Sequence, residues 1–229
     1  MQPFHDPDAS QAQQLESRFG FRWVRHRIGA VRLRVAEIRD VDACVRALYP
    51  HCLVDHGDAP VWMISWPAAF GLAEFLVHEA GVAGRSVLEL GCGTAVVGVA
   101  ASLAGARVAS TDYDVRALAV ARRNGRENGC PALALGRLDW YRPSLAQRYE
   151  LVVGSEITYH EAAFQPLLTT LKQAVTPGGT VVLSDIFRPQ TDTFLDLASA
   201  DGWTAETHAR PVHLEHGSHA VRIVVLRAR

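Results

Sequence analysis

Ser86-Val87-Leu88-Glu89-Leu90-Gly91-Cys92-Gly93-Thr94 is the stretch that decides the fold of this 229-residue chain. Its first five residues form a short, mostly apolar run, which predicts a buried strand. Two glycines then permit a tight turn, and the residues from Thr94 to Ala104 have the apolar pattern of a helix. A buried strand that turns through glycines into a helix is typical of open α/β sheets, which bind ligands at the carboxyl ends of their strands.

The residues after this stretch repeat the alternation of strand and helix. Further strands are predicted at 107–111, 132–138, 150–156 and 180–185, and helices at 115–128, 161–175 and 191–200. Such alternation predicts a parallel, doubly wound sheet. Residues 177–179 are predicted to form a turn, and the runs 203–210 and 220–227 have no helix between them. These last two runs therefore predict an antiparallel edge.

The first 60 residues follow a different pattern. Residues 1–17 are polar and contain two prolines, which predicts a mobile tail. Between Phe21 and Ile38 apolar residues alternate with arginines around Gly29, which predicts a β-hairpin, and Asp40 is a predicted helix cap. We therefore divide the chain into a tail at 1–17, a hairpin and helix extension at 18–60, and a main domain at 61–229.

Composition excludes several classes of protein. Hydrophobic residues make up 48% of the chain and charged residues 21%, which is typical of a globular protein and not of a disordered one. The longest apolar stretch, Ala95 to Ala106, has 12 residues and is too short to span a bilayer. The N-terminus has no apolar run typical of a secretion signal. Four cysteines without metal-like spacing suit a reducing compartment, so we expect a cytoplasmic protein.

The arginines of the hairpin form a basic stretch: Arg18, Arg22, Arg25, Arg27, Arg32 and Arg34, with Phe21 and Trp23 between them. A solvated face, a dock for an acidic protein and a nucleic-acid site are the three interpretations. The net charge of −1 argues against extended binding along phosphates. His213, His216 and His219 surround a predicted turn without a recognised zinc pattern, so no metal is predicted.

The glycine turn is compatible with two classes of cofactor. A dinucleotide site has the pattern G-x-G-x-x-G, whereas this chain has Val96 in place of the third glycine. Glu89 places a carboxylate two residues before Gly91, and a carboxylate repels a pyrophosphate but attracts an ammonium. S-adenosyl-L-methionine carries an ammonium and a sulfonium and no phosphate. Asp112 ends the second strand, where an acid accepts hydrogen bonds from ribose hydroxyls. These residues favour S-adenosyl-L-methionine over NAD.

Aromatic residues extend the predicted cofactor site. Asp139 and Trp140 follow the third strand and are candidates for contact with adenine, and Trp66 offers an aromatic face to a sulfonium or an adenine ring. A turn acid and a core tryptophan are the plainer interpretations of these positions. The predicted cofactor-binding residues are Trp66, Glu89, Gly91, Cys92, Gly93, Thr94, Asp112, Tyr113, Asp139, Trp140 and Ser155.

With these motifs, residues 86–227 resemble the class I, seven-β-strand methyltransferases. The resemblance implies a Rossmann-like sheet of order 3-2-1-4-5-7-6 with an antiparallel seventh strand. Trp66-Pro67-Ala68 and Glu156-Ile157-Thr158-Tyr159 further resemble two hallmarks of methyltransferase family 16, which contains many protein lysine methyltransferases. VWMISWPAAFGLAEFL (61–76) and SDIFRPQ (184–190) resemble the branch that methylates the β subunit of electron transfer flavoprotein. The family motif is usually Asp-x-x-Tyr, and Glu156 departs from it toward relatives that include a histidine-methylating branch.

The resemblance implies an enzyme that transfers a methyl group to nitrogen. Glu156 and Tyr159 are its implied catalytic residues, with Glu156 orienting the amine and Tyr159 supplying a wall and a hydroxyl. The implied acceptor is a protein lysine, on a protein similar to the electron transfer flavoprotein β subunit. Three alternatives stay open: a small-molecule N-methyltransferase of the nicotinamide type, a module that binds the cofactor without catalysis, and a nicotinamide-dependent dehydrogenase.

Overall fold

The computed structural model describes residues 9–54, 60–131 and 133–228. The helices are α1 (Ala9–Phe19), α2 (Val41–Leu48), α3 (His51–Val54), α4 (Pro67–His78), α5 (Val96–Leu103), α6 (Val115–Glu127), α7 (Phe164–Ala174) and α8 (Pro189–Ala200). The strands are β1 (Phe21–Ile28), β2 (Val31–Ile38), β3 (Ser86–Leu90), β4 (Arg107–Asp112), β5 (Ala134–Arg137), β6 (Tyr149–Ser155), β7 (Val175–Asp185), β8 (Trp203–Leu214) and β9 (Gly217–Ala228). Single 3₁₀ turns lie at Val61–Met63 and Glu161–Ala163.

The central sheet has the order β5-β4-β3-β6-β7-β9-β8. Its strands from β3 to β7 pair in parallel, and β9 runs antiparallel to both β7 and β8. Counted from β3, this is the order 3-2-1-4-5-7-6 with an antiparallel seventh strand. The predicted fold class and its N-terminal hairpin are therefore confirmed.

Helices cover both faces of this sheet. The inner strand β3 is apolar on both sides, and Val87, Leu88 and Leu90 are completely buried. One face packs against α4, α5 and the apolar side of the hairpin, and the other face packs against α7 and α8. On the second face the rings of Phe164 and Phe194 meet edge to face, with centroids 5.4 Å apart. The two layers leave the carboxyl ends of β3, β4 and β6 open at one edge.

The predicted mobile tail is wrong for residues 9–17, which belong to α1. Ala12, Leu15 and Phe19 lie on one side of this helix and are buried against α6 and the hairpin. Their spacing is that of an amphipathic helix, but the glutamines and serines between them make the apolar pattern too sparse to predict a helix. Residues 1–8 of the predicted tail lie outside the described residues.

Three other predictions need a change of boundary. The predicted turn at Pro177-Gly178-Gly179 lies within β7 as an irregularity, because Tyr149 pairs with Val175 and Leu151 already pairs with Thr180. The helix after the glycine turn begins at Val96, since Ala95 has a φ of 59° and so cannot continue a right-handed helix. The closing antiparallel pair is longer than predicted, with strands at 203–214 and 217–228.

The hairpin of β1 and β2 is fixed to α6 by two asparagines. The side-chain amide of Asn124 bonds both backbone groups of Ala36, with Ala36 N to Oδ1 at 2.7 Å and Nδ2 to Ala36 O at 3.1 Å. Asn128 bonds both backbone groups of Arg34 at 2.8 Å. The Asp40 carboxylate accepts from Ala43 N at 2.9 Å, so the predicted helix cap is confirmed. Across the described ranges, no helix combines the length and hydrophobicity needed to cross a bilayer.

Candidate active site

A cavity of about 790 Å³ opens at the carboxyl ends of β3, β4 and β6. Its walls are the β3–α5 turn, the β4–α6 turn, the segment after β6, and residues of the N-terminal extension between Leu48 and Trp66. The cavity brings together every predicted site residue: Trp66, Glu89, Gly91, Cys92, Gly93, Thr94, Asp112, Tyr113, Asp139, Trp140, Ser155, Glu156 and Tyr159. Within the described residues, no three His, Cys, Asp or Glu side chains are grouped as metal ligands.

The glycine turn exposes backbone to the cavity. Gly91 has a φ of 62° and Gly93 a φ of 51°, both in the left-handed region that glycine adopts without strain. A Cβ atom on Gly91 would lie 2.9 Å from Ile157 Cγ2, so the turn also has no room for a side chain. A ligand can therefore approach the main chain of this turn closely.

Asp112 connects the glycine turn to the next loop. Its Oδ2 accepts from Gly93 N and its Oδ1 from Asp114 N, each at 2.9 Å. Burial raises the pKa of this carboxyl to about 6, although these backbone hydrogen bonds favour the ionised form. The Tyr113 N–H also favours the ionised form. A carboxylate has about four acceptor positions, so at least one remains for a hydroxyl of a ligand.

Glu89 is buried below the glycine turn. Its Oε2 accepts from the Ser110 hydroxyl, and the Gly98 N–H also bonds the carboxylate. A Cβ atom on Gly98 would lie only 2.4 Å from Glu89 Oε2, so the glycine makes room for the acid. Burial raises the pKa of Glu89 to about 8. We did not predict from the sequence that Ser110 and Gly98 contact Glu89. The position of Gly98 near the start of the helix was the one indication available.

We expect the ligand-free protein to become less stable as pH rises from about 4.5 to about 8 because of Glu89. In that range the unfolded chain has lost the Glu89 proton, whereas the folded chain keeps it until its higher pKa of about 8. Unfolding thus releases a proton, and the free energy of unfolding falls by up to about 1.4 kcal/mol per pH unit. Urea titrations across this range, compared with Glu89→Gln, measure the difference. Equal pH slopes for the two proteins would contradict the assignment.

A polar cluster from distant parts of the chain closes one side of the cavity. Trp62 Nε1 donates to the Tyr49 hydroxyl at 2.7 Å, and that hydroxyl donates to the Asp114 carboxylate. Arg116 Nε donates to Asp114 Oδ1 at 2.8 Å, and its guanidinium lies 4.3 Å from the Tyr49 ring centroid. We did not predict Asp114 from the sequence, because Tyr49, its partner from the N-terminal extension, lies 65 residues away. The N-terminal extension therefore forms part of the cavity wall.

Glu156 occupies the opposite side of the cavity with a strained backbone. Its φ is 55°, which is uncommon for a residue with a side chain, and its side chain is buried. Glu156 Oε1 accepts from Ile186 N at 3.0 Å, and Oε2 forms an ion pair with Arg188. Burial raises the pKa of this carboxyl, and Arg188 partly offsets that rise. The carboxylate thus has an arginine partner that we did not predict from the sequence.

Arg188 is held by the strands below it. Its carbonyl accepts from Arg222 Nη2 at 2.8 Å, and Arg222 forms a buried ion pair with Asp185 at 2.9 Å. The Arg188 guanidinium lies 5.7 Å from the Trp66 ring centroid, over the cavity wall. Tyr159 lines the same side and is half-buried. Carboxylate, guanidinium and aromatic rings therefore meet at one point of the cavity.

The comparison with protein families decides the assignment of the chain. A family model described as lysine methyltransferase, methyltransferase family 16, matches residues 55–200, which is more than half of the chain. The chain belongs to this lysine methyltransferase family. The matched residues include the glycine turn, Asp112, Glu156 and Tyr159, whereas the hairpin lies before them.

Individual relatives agree with this family. The chain is 36% identical over 143 residues to protein N-lysine methyltransferase METTL21A of Xenopus tropicalis, covering 58% of this chain and 65% of that protein. It is 35% identical over 134 residues to EEF1A lysine methyltransferase 3 of Mus musculus, covering 55% and 56%. The matches thus span less than two thirds of either relative. The crystal structure of ribosomal protein L11 methylase from Lactobacillus delbrueckii subsp. bulgaricus shares the fold, with a TM-score of 0.57 at 19% identity over 70% of this chain and 79% of that one.

The family implies S-adenosyl-L-methionine as the cofactor, and the cavity of this lysine methyltransferase family member fits it. Asp112 keeps an acceptor position free for a ribose hydroxyl, and the glycine turn allows contact with the main chain. Trp140 borders Gly91, with its ring 3.6 Å from the position of a Cβ atom there, so an aromatic surface adjoins the turn. Glu89 also lines the cavity. A bound ammonium beside it would lower its raised pKa and favour the carboxylate, whereas a pyrophosphate would raise that pKa further.

Proposed function

We propose that this protein is an S-adenosyl-L-methionine-dependent N-methyltransferase that methylates a lysine side chain of a protein. One observation carries the proposal: a single cavity joins the glycine turn and Asp112 on one side to Glu156 and Tyr159 on the other. The glycine turn and Asp112 fit the cofactor, and Glu156 and Tyr159 fit an amine. Membership of the lysine methyltransferase family supports the same acceptor.

In this proposal the cofactor is held by groups on the β3 and β4 side. Asp112 accepts a hydrogen bond from the ribose, the glycine turn contacts the amino-acid part, and the ammonium favours the ionised form of Glu89. Asp139 and Trp140 flank the adenine, and Tyr113 and Ser155 line the same cavity. The bound cofactor supplies a methyl group on a sulfonium, which needs alignment rather than activation. Holding two reactants in line contributes roughly 7–11 kcal/mol to lowering a barrier.

Glu156 and Arg188 together favour a neutral acceptor amine. Only an unprotonated amine has a lone pair, and free lysine has a pKa of about 10.4. A lone carboxylate would raise the pKa of the amine further, whereas a carboxylate already paired with a guanidinium raises it less. Glu156 thus accepts a hydrogen bond from the amine and orients it, and the amine loses its proton to water before it is enclosed. Tyr159 forms a wall of this acceptor site.

The finer proposals concern the substrate and the compartment. We propose a protein similar to the β subunit of electron transfer flavoprotein, because residues 61–76 and 184–190 resemble the branch that methylates it. The cysteines Cys44, Cys92 and Cys130 are free thiols, which supports a reducing compartment such as the cytoplasm.

Transfer of a labelled methyl group tests the proposal. The purified protein is incubated with methyl-labelled S-adenosyl-L-methionine and either purified electron transfer flavoprotein or a desalted protein extract. Acid hydrolysis of the labelled protein should release methyllysine. Methylhistidine, label in added nicotinamide, or binding of the cofactor without any transfer would each overturn the proposed acceptor or the activity itself.

A further inference from the structure

The outer side of the hairpin carries a cluster that we call the arginine face: Arg25 and Arg27 on β1, Arg32 and Arg34 on β2, and Arg123 on α6. Arg25 lies directly opposite Arg34, and Arg27 directly opposite Arg32. The four hairpin arginines are exposed. Like charges directly opposite one another destabilise a strand pair, so packing within the protein does not explain this arrangement.

The apolar residues on the inner side of the hairpin account for its packing against the main domain, and the arginines are not needed for it. Ile28, Leu33 and Val35 are buried against α4 and α5, and His26 bonds Glu74 at 2.9 Å. The period of two in a strand then turns the intervening arginines toward solvent. In the arginine face, Arg34 pairs with the Glu127 carboxylate. Among the described residues, no carboxylate lies within ion-pair distance of the other three hairpin arginines. A set of unneutralised guanidinium groups therefore faces outward.

Trp23 lies at the centre of the arginine face, and its surroundings favour an acidic protein over a single-stranded nucleic acid as the partner. Arg34 lies 4.2 Å from the Trp23 ring centroid and Arg123 lies 5.5 Å from it. Proteins that bind single-stranded nucleic acid stack bases on open aromatic rings. Here two guanidinium groups already lie over Trp23, so less of the ring is open for stacking. The face instead presents pairs of guanidinium groups, each of which can donate two parallel hydrogen bonds to a carboxylate.

The position of the arginine face suits a role in substrate choice. The hairpin lies before residues 55–200, which match the family model and contain the catalytic cavity. It adjoins that cavity, because Glu37 at the end of β2 accepts from Ser65 N at 2.7 Å and Ser65 lines the cavity. Each strand of the hairpin has eight residues, and a strand advances about 3.3 Å per residue. The face itself lies farther from the cavity, because Arg34 pairs with Glu127 in the last turn of α6 and Arg116 in the first turn lines the cavity. At about 1.5 Å per residue these two turns are roughly 16 Å apart, a distance that an interface of ordinary size, about 800 Å² per partner, can span.

We propose that the arginine face docks an acidic segment of the protein substrate and so selects which protein is methylated. This inference rests on the proposed function, since it names a recognition surface for the same reaction. The acidic segment binds on the hairpin while the target side chain, in another part of the same substrate, enters the cavity. The charges act on encounter and on affinity, and they do not touch the reacting atoms.

Binding of defined probes tests the arginine face. Fluorescence anisotropy measures the full-length protein against a labelled glutamate-rich peptide and a labelled single-stranded oligonucleotide. The variant carries Arg25→Gln, Arg27→Gln and Arg32→Gln. The matched control removes the same number of exposed arginines elsewhere, with Arg46→Gln, Arg107→Gln and Arg227→Gln. We expect the variant to weaken binding of the acidic peptide about tenfold and to reduce its salt dependence, with the control close to wild type.

Two readouts separate this inference from the proposed function. S-adenosylhomocysteine binding should be unchanged in both triple variants, which shows that the fold and the cofactor site are intact. With a protein substrate found by labelled transfer, KM should rise about tenfold in the arginine-face variant at unchanged kcat. Failure of the acidic peptide to bind, equal losses in variant and control, or tighter binding of the oligonucleotide than of the peptide would overturn the inference while leaving the cofactor assignment in place.

Discussion

Asp112→Ala should abolish the stabilisation that S-adenosylhomocysteine gives to this protein. At a 100-fold excess over its dissociation constant, the ligand should add about 2.7 kcal/mol to the free energy of unfolding of the wild type. For a chain of this size that corresponds to a rise in Tm of roughly 5–11 °C. The variant loses the carboxylate that we propose accepts from the ribose, and that also accepts from Gly93 N. Its Tm should therefore not change measurably when the ligand is added.

Two controls make this result specific. Asp196→Ala removes an exposed acid from α8 and should keep the full rise in Tm. NAD should give no rise in the wild type, because Val96 replaces the third glycine that a dinucleotide site has for its pyrophosphate. A full rise in Asp112→Ala, or a rise with NAD, would show that the glycine turn has been assigned to the wrong ligand.

Glu156→Ala should lower kcat by about 100-fold, the effect that loss of alignment has on a transfer reaction. The variant removes the acceptor proposed to orient the amine and leaves the Arg188 guanidinium without its ion pair, so an incoming ammonium would meet a positive charge. S-adenosylhomocysteine binding should stay within a few-fold of wild type, since the cofactor groups lie on the other side of the cavity. Single-turnover measurements with saturating cofactor isolate the transfer step.

Milder variants of the same site distinguish its parts. Glu156→Gln keeps an oxygen that can accept from Ile186 N but removes the charge that pairs with Arg188. We expect it to retain more activity than Glu156→Ala if orientation is the main role. Tyr159→Phe keeps the wall and removes the hydroxyl, so it reports on the hydroxyl alone. Full turnover in both Glu156→Ala and Tyr159→Phe, with cofactor binding intact, would rule out the role assigned to this side of the cavity.

The parts of the site that the sequence predicts are those that depend on local pattern. Glu89, the glycine turn and Asp112 follow directly from strand ends, because parallel strands present their carboxyl ends at one edge of a sheet. The antiparallel edge strand likewise follows from two adjacent β-type runs without a helix between them. All of these features lie within short segments whose periodicity decides their structure.

The features that the sequence does not predict depend on distant contacts. Arg188 lies 32 residues from Glu156, and Tyr49 lies 65 residues from Asp114, so no local spacing indicates either pair. Helix α1 was missed for a different reason. Leu15 and its buried neighbours are few, and the stability of such a helix comes from packing against α6 rather than from its own composition.

Asn124 in α6 and Asn128 directly after it also affect how this protein behaves at high concentration. A two-stranded hairpin ordinarily leaves the outer N–H and C=O groups of its edge strand free to pair with a strand from another molecule. In β2 those groups at Arg34 and Ala36 are already bound to the amides of Asn128 and Asn124. One side of a helix thus takes the place of a third strand, and this edge is closed to the intermolecular pairing from which aggregates grow.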